Sequence, residues 1–326
     1  MTSFETTTVS AIIPTHNRAD VLCDMTLASL AQVIIPTQCS LEVVVIANAC
    51  SDDTVEAVER LAVNYPHSLR VIADPVANLN RARNTGVRES QGQILALLDD
   101  DVWLYPEWLV GMLEVYRDFP AELVSGRATL WWKDVDRPAW VDRYVEDLLS
   151  HNDLGDDVRE ARTHNEAIGA NFSFRRQVYD SIGGFIDGLD RTATVLLGGG
   201  ESEFIARARA RGFRMYYSPQ MAVRHWVAPH RIEQPYLTGV AFGSAQSRVY
   251  MKPTMTLTGG IRSLVGNSYL ACRHGASELI AAALGRTDQA RFHRLRRYNG
   301  WGGVVGLWNR MLGRSPVRHG RPTQSA

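Results

Sequence analysis

Three consecutive carboxylates, Asp99, Asp100 and Asp101, follow directly on the apolar run Ile94-Leu95-Ala96-Leu97-Leu98. Like charges side by side repel unless a cation joins them, and oxygen-rich clusters suit hard divalent ions such as magnesium or manganese. A solvated acidic turn is the other reading of the same residues. Further along, Glu201 follows Gly198-Gly199-Gly200 at a point where helical periodicity begins. A carboxylate there is either a partner for the helix dipole or a base. His225 is either a structural histidine or a metal ligand. Near the start of the chain, Thr15-His16-Asn17-Arg18 and the stretch from Asn48 to Asp52 set polar side chains just past apolar runs, as helix caps or as ligand contacts.

The elements that must position these groups follow from hydrophobic periodicity. Residues 9–14 read as a strand stopped by Pro14, and residues 18–33 as a helix with Val21, Leu22, Met25 and Leu30 at helical intervals. The pattern repeats: a β-branched run at 41–47, a helix at 55–63 behind the capping residues Ser51-Asp52-Asp53-Thr54, a strand at 69–73 and a helix at 80–90. The strand from Ile94 is the fourth. Strands separated by helices imply parallel pairing with crossovers, and such a sheet brings the turns after its strands to one edge.

Beyond the acids, the spacing predicts a turn at Pro106, a helix to about Tyr116 and a strand over 123–132. Residues 133–165 are polar and acidic with little periodicity, which suits a functional loop or lid. A strand is expected at 167–174, a helix near 176–181 stopped by Gly183-Gly184, and a helix at 202–211 with Glu203 and Arg207 spaced to pair. Two short strands are expected at 212–219 and 221–226.

At 326 residues the chain is long enough for one large domain with an appendage, or for two domains. Hydrophobic residues make up 45% and charged residues 21%, an ordinary globular balance. The formal net charge is zero, so no overall field attracts nucleic acid, and no nucleic-acid partner is expected. Cys23, Cys39, Cys50 and Cys272 lack paired spacing, which argues against a disulfide framework or a zinc site and for a reducing compartment. The first eight residues are polar and carry Glu5, unlike a signal peptide, and no run is apolar for the ~20 residues a bilayer needs. The expected location is cytoplasmic, including the cytoplasmic face of a membrane.

Taken together, the motifs resemble those of the inverting glycosyltransferases of family 2. They are Ile13-Pro14-Thr15-His16-Asn17-Arg18, Val44 through Thr54, Asn80-Arg81-Ala82-Arg83-Asn84-Thr85-Gly86-Val87, Leu98-Asp99-Asp100-Asp101-Val102, Gly169-Ala170-Asn171-Phe172, Gly183-Gly184-Phe185 and Gly200-Glu201-Ser202-Glu203-Phe204, closed by Arg207, Gly212 and His225. The resemblance covers roughly residues 9–227. It implies the GT-A, or nucleotide-diphospho-sugar transferase, fold: a Rossmann-like α/β architecture with a mixed, mainly parallel sheet flanked by helices. It also implies a nucleotide-sugar donor and a divalent metal, Mn2+ or Mg2+. Asp99 and Asp101 match the family's metal-binding acid pair, with Asp101 on the metal and Asp99 at the ribose or the metal shell, and His225 matches its late histidine ligand. Pro14, Thr15, Asn17, Arg18, Asn48, Asp52 and Asp100 fall in the nucleotide pocket, and Arg83 faces it. Glu201 takes the place of the base that accepts the acceptor hydroxyl's proton, with Glu203 two residues on. Ala47 stands where the family often has an acid that hydrogen-bonds the nucleobase. A UDP-sugar is the first expectation, with dTDP- and GDP-sugars behind it.

The expected division is a catalytic domain over residues 1–230, with a nucleotide half at about 9–102 and an acceptor half at about 103–230. A helical C-terminal extension then runs over 231–326. Helices are expected at 234–250 and at 261–284, the second interrupted by glycines. Arg286, Arg291, Arg294, Arg296 and Arg297 interleave with Phe292, Tyr298, Trp301 and Trp308, which fits either a membrane interface or packing against protein. Residues 315–326 are polar and expected to be disordered. The acceptor is a glycan, a lipid-linked sugar or a small secondary-metabolite molecule, which connects the chain to polysaccharide biosynthesis. The competing classes are a non-catalytic nucleotide-binding relative serving as an assembly partner, and a nucleotidyltransferase. The second would call for a glycine-rich phosphate loop with lysine near the first strand, and Pro14 to Arg18 has neither.

Overall fold

The computed structural model describes residues 7–189, 196–252 and 254–314. The expected tail and part of the glycine-bearing stretch 188–199 lie outside those residues. Four strands open the fold: β1 (Thr7–Thr15), β2 (Cys39–Asn48), β3 (Ser68–Asp74) and β4 (Ile94–Leu98). They pair in parallel in the order β3-β2-β1-β4, so their carboxyl ends share one edge. β1 and β4 are apolar at successive positions because both faces are covered. Ala11 and Ile13, with Ala96 and Leu98, face one core, whereas Ile12, with Leu95 and Leu97, faces the other. The helix Leu79–Glu89 lies tightly on β1, since a Cβ at Gly86 would sit 2.3 Å from Ile12 Cγ2.

The sheet continues through β5 (Val102–Leu104), β6 (Leu123–Trp131), β7 (Arg159–Glu160), β8 (Asn171–Arg175) and β9 (Met215–Trp226). From β4 the order runs β8-β6-β9-β5, with β7 paired to β9. β6 and β9 are parallel, and the other pairings here are antiparallel. β9 is a single strand where two were expected. Its register against β6 jumps from Gly126↔Ser218 to Arg127↔Ala222, so Pro219 falls in a bulge that needs no ladder donor. Asn171 holds the bulge, donating to the carbonyls of Arg127 at 2.9 Å and Met221 at 2.7 Å and accepting from Trp108 Nε1 at 2.8 Å. Residues 167–170, expected in the strand, precede β8 instead. The stretch 133–165, read as loop or lid, contains the helix Arg143–Leu148 and β7.

The first helix differs from expectation. It runs from Ala19 to Leu30 with a π turn at Leu22–Leu27 in its middle. Such wide turns occur mostly as local insertions at functional sites. Here the turn carries Thr26, whose hydroxyl reaches the carbonyls of Asp99 (3.1 Å) and Val102 (3.0 Å) and accepts from the Val102 N–H (3.0 Å).

The chain forms two compact units. One holds the residues up to Lys133, Ser150–Phe185 and Glu201–Trp226; the other holds Asp134–Leu149, Ile186–Gly200 and the chain from Val227 on. Within the second, the helices Gln234–Tyr250, Leu257–Ala283 and Thr287–Met311 pack together. The glycines expected to interrupt the middle helix do not. Close approach is set by the last helix: a Cβ at Gly300 would lie 2.7 Å from Ala271 N, and one at Gly302 would lie 2.2 Å from Phe242 O.

Candidate active site

The three acids occupy the turn after β4, and each has a different environment. Asp100 is buried, accepts the Thr15 hydroxyl at 2.7 Å and pairs with Arg18 Nη1 at 2.6 Å. Burial pushes its carboxyl up to about 7, reinforced by Asp101 and opposed by Arg18 and Thr15. Asp100 thus ties the turn after β4 to the turn after β1. Asp101 is fully buried and lies 3.1 Å from Arg18 Nη2. Asp99 keeps about a third of its side chain exposed, at 35%.

His225 reaches this turn through the β5–β9 ladder, which sets it opposite Val102, while the Trp226 N–H donates to the Asp101 carbonyl at 3.0 Å. Its Nε2 stands 3.2 Å from Asp101 Oδ1 and 3.9 Å from Asp99 Oδ2, with the ring 1% exposed. One ligand atom from each of Asp99, Asp101 and His225 lies within 4.8 Å of the other two. Two carboxylate oxygens and an imidazole nitrogen form a donor set that could hold a divalent metal ion.

The turns after β1 and β2 brace each other. Asn17 and Ala49 hold positive φ angles of 51° and 53°, unusual for residues other than glycine. Asn17 Oδ1 accepts from the N–H groups of Ser51 (2.7 Å) and Asp52 (3.3 Å), and His16 Nδ1 meets Asn48 O at 2.7 Å. Asp52 accepts from the Ala19 N–H at 3.3 Å and from the Thr54 hydroxyl at 2.5 Å. Asn48 donates to Val76 O at 2.6 Å and accepts from the Asn78 N–H at 2.9 Å. Four of the residues expected in a nucleotide pocket, Thr15, Asn17, Asn48 and Asp52, are thus engaged in bonds that hold these turns. Pro14 is buried inside β1 opposite Ile46.

Arg83 and Glu201 meet on the other side of β4. Arg83 is 4% exposed; its Nη1 lies 3.2 Å from Glu201 Oε2 and 3.3 Å from Asn80 Oδ1. Its guanidinium lies under Gly169, where a Cβ would come within 2.2 Å of Nη2, and 5.7 Å from the Phe185 ring. The next residue, Asn84, accepts from the Phe185 N–H at 2.8 Å and donates to its carbonyl at 2.7 Å. The motifs around Arg83, Gly169, Gly183 and Glu201 are thus wired to one another. Phe185 stacks on Phe204 at 4.5 Å, which seats the helix Gly200–Ala210 against them.

Glu203 has a separate role. It is buried and makes two bonds to Arg207, at 2.6 and 2.8 Å, while Arg207 also donates to the carbonyls of Ile182 and Gly184. Thr26 and Asp74 were not among the residues singled out from the sequence, and Asn171 stood there only as part of a motif, without its role at the bulge. Asp74 is buried at the end of β3 and accepts from Arg81 at 3.0 Å and Thr85 at 3.1 Å. Its position one strand over from Asn48 was the available signal.

The chain is 25% identical over 221 residues to the glycosyltransferase AglE of Haloferax volcanii, covering 68% of this chain and 67% of that one. It is 25% identical over 185 residues to the glucosyl-dolichyl phosphate glucuronosyltransferase of the same organism, covering 55% and 57%. The mannosyltransferase PcManGT from Pyrobaculum calidifontis, solved in complex with GDP-Man and Mn2+, shares the fold with a TM-score of 0.60 at 19% identity, over 94% of this chain and 87% of its own. Its GT-A architecture is that described above, a mixed sheet flanked by helices with a helical C-terminal region. The model for glycosyl transferase family 2 matches residues 10–183, more than half the chain, and the protein belongs to that family of transferase enzymes.

Proposed function

We propose that the protein moves a sugar from a nucleoside-diphosphate sugar to an acceptor hydroxyl with inversion at the anomeric carbon. The observation that carries this is the convergence of Asp99, Asp101 and His225 at the edge where the turns after β1 and β2 also end. A divalent ion held by these three residues would neutralise the charge that gathers on a departing diphosphate. Arg18, already on Asp100 and Asp101, holds the turn that presents them. Glu201, aimed by Arg83, accepts the proton of the acceptor hydroxyl. The acceptor oxygen bonds to the anomeric carbon while the carbon–phosphate-oxygen bond breaks, and the nucleoside diphosphate leaves with the electron pair. A UDP-sugar remains the first expectation for the donor. The relative that acts on glucosyl-dolichyl phosphate supports a lipid-linked acceptor.

A specific observation supports work at a membrane surface. The helix Leu257–Ala283 exposes Leu257, Ile261, Val265, Tyr269, Leu279 and Ile280, the first two at 79% and 54%. Its one acid, Glu278, is buried between Arg294 and Arg297, whereas Arg262 and Arg273 are exposed. An apolar face whose exposed charges are all cationic suits an anionic bilayer. Of the arginines of the last helix, which fitted either a membrane interface or packing against protein, Arg291 lies on Trp140 and Arg296 on Tyr144. No helix of the described residues is long and apolar enough to cross a membrane.

Proton NMR of donor hydrolysis tests the reaction, using UDP-glucose, UDP-N-acetylglucosamine and GDP-mannose with manganese. The first sugar formed from an α-linked donor should be the β-anomer; first formation of the α-anomer would refute inversion.

A further inference from the structure

One face of the sheet at β5, β9 and β6 carries a strip of aromatic and cationic side chains that the donor site does not use. Register places Trp103 and Thr129 on either side of Arg224, and Trp131 beside Trp226. The Arg224 guanidinium lies 4.6 Å from the Trp131 ring, 5.8 Å from Tyr105 and 6.0 Å from Trp103. Lys133 Nζ stands 5.4 Å from the same Trp131 ring. Arg224 Nε is buried without a hydrogen-bond partner, and among the described residues neither Arg224 nor Lys133 has a carboxylate partner. Arg127, further along this face, is neutralised: it pairs with Asp156 at 2.6 Å and with Asp153 at 3.3 Å.

The strip has two ends. At one, Trp226 lies 5.9 Å from the Arg18 guanidinium, which holds Asp100 and Asp101. At the other, roughly 13 Å along β9 by strand rise, Ala222 lines a cavity of about 410 Å³ together with Tyr105, Glu107, Arg127, Thr129, Asp153 and Gln220. The strip therefore runs from the acidic turn to that cavity. Tyr105 is exposed, and Trp103, Trp131 and Trp226 are half-buried.

Aromatic faces pack against the apolar C–H faces of sugar rings, and arginine beside them adds a fixed donor for an anionic oxygen. Two cations without acids around one tryptophan leave a charge that a neutral sugar does not match. We infer that this strip is the acceptor platform and that it binds a carbohydrate bearing an acidic group, a carboxylate or a phosphate, at Trp131, Arg224 and Lys133. This rests on the transferase assignment, and it names the acceptor's chemical class. The hydroxyls of that carbohydrate would be read in the cavity by Thr129, Asp153 and Gln220.

The test is direct binding to the full chain, followed by tryptophan fluorescence and saturation-transfer NMR, with maltotetraose, tetragalacturonate and glucose 1-phosphate as probes. An acidic probe should bind at least tenfold more tightly than maltotetraose, tetragalacturonate marking a carboxylate site and glucose 1-phosphate a phosphate site. Lys133→Glu, at an exposed position, and Arg224→Gln should each weaken that binding at least tenfold. Both variants should keep the wild-type melting shift with UDP and manganese, which separates failure of the platform from failure of the donor site. Equal binding of the neutral probe, no binding of either acidic probe, or acidic binding unchanged in both variants would overturn the inference.

Discussion

Arg83 Nη1 lies 3.2 Å from Glu201 Oε2, an ion pair between side chains 118 positions apart. It fixes where the Glu201 carboxylate points and separates it from Glu203, which is held by Arg207. Glu201→Gln keeps the size of the side chain and removes its capacity to take a proton. It should lower turnover by roughly 10²- to 10⁴-fold while leaving nucleotide affinity within twofold. Glu203→Gln loses charge-assisted bonds to Arg207 and should cost about 2 kcal/mol of stability with turnover kept. Steady-state rates and urea melts of the two variants check the pair. The opposite pattern, activity lost with Glu203 and kept without Glu201, would exchange their roles.

Manganese binding should depend on the buried members of the acidic turn. Asp101 is fully buried and its Oδ1 lies 3.2 Å from His225 Nε2, so each side chain is one third of the donor set. Asp101→Asn and His225→Ala should each weaken manganese binding by more than about tenfold, read as free ion by electron paramagnetic resonance. Unchanged affinity in both would place the ion elsewhere.

Acid sensitivity should trace in part to Asp74. Burial raises its carboxyl, but hydrogen bonds from Arg81, the Val76 N–H and Thr85 outweigh burial and hold it below the usual value of 3.8. A carboxyl depressed on folding stabilises the fold above its unfolded value and loses that contribution as pH falls through the folded one. Asp74→Asn should therefore be less stable than wild type at pH 7, with the gap closing below about pH 4. Denaturant melts at pH 7 and pH 3 give the comparison, and a gap that widens on acidification would contradict the assignment.

Membrane attachment, if it runs through the helix Leu257–Ala283, should fail when its exposed face is made acidic. Ile261→Asp combined with Val265→Asp alters two side chains that are 54% and 62% exposed, so folding should be spared. The wild type should sediment with phosphatidylglycerol vesicles and bind phosphatidylcholine weakly, and the double variant should lose at least about fivefold of the former. Equal sedimentation of both proteins would remove the surface reading.

How much of this was legible beforehand varied with the range of the interaction. β1, β2 and β4 were readable because burial on both faces leaves a continuous apolar run, and the acids at the end of β4 stand out against it. β5 was not, since three residues on a sheet edge carry no period, although it is the ladder that delivers His225 to Asp101. Pro219 suggested a break in β9 that the bulge absorbs. The motif residues were recognisable, but their wiring was not. Asn17 and Asn48 bond to turns about thirty positions away, and Arg83 reaches Glu201, 118 positions on, contacts that local sequence does not encode. The π turn at Leu22–Leu27 keeps an ordinary helical pattern and shows itself only in what Thr26 touches.

The convergence of Asp99, Asp101 and His225 predicts a nucleotide-sugar site assembled on a divalent ion. Its most direct test is the melting temperature of the full chain with UDP, dTDP and GDP, each measured with manganese and with a chelator. A ligand that binds only the folded state stabilises it by mass action, by about 2.7 kcal/mol at a hundredfold excess over its dissociation constant, and so raises the midpoint. At least one nucleotide should raise the melting temperature with manganese, should lose that effect with the chelator, and should lose it again in Asp101→Asn. No shift from any nucleotide in manganese, or a shift that survives both the chelator and Asp101→Asn, would contradict the site described.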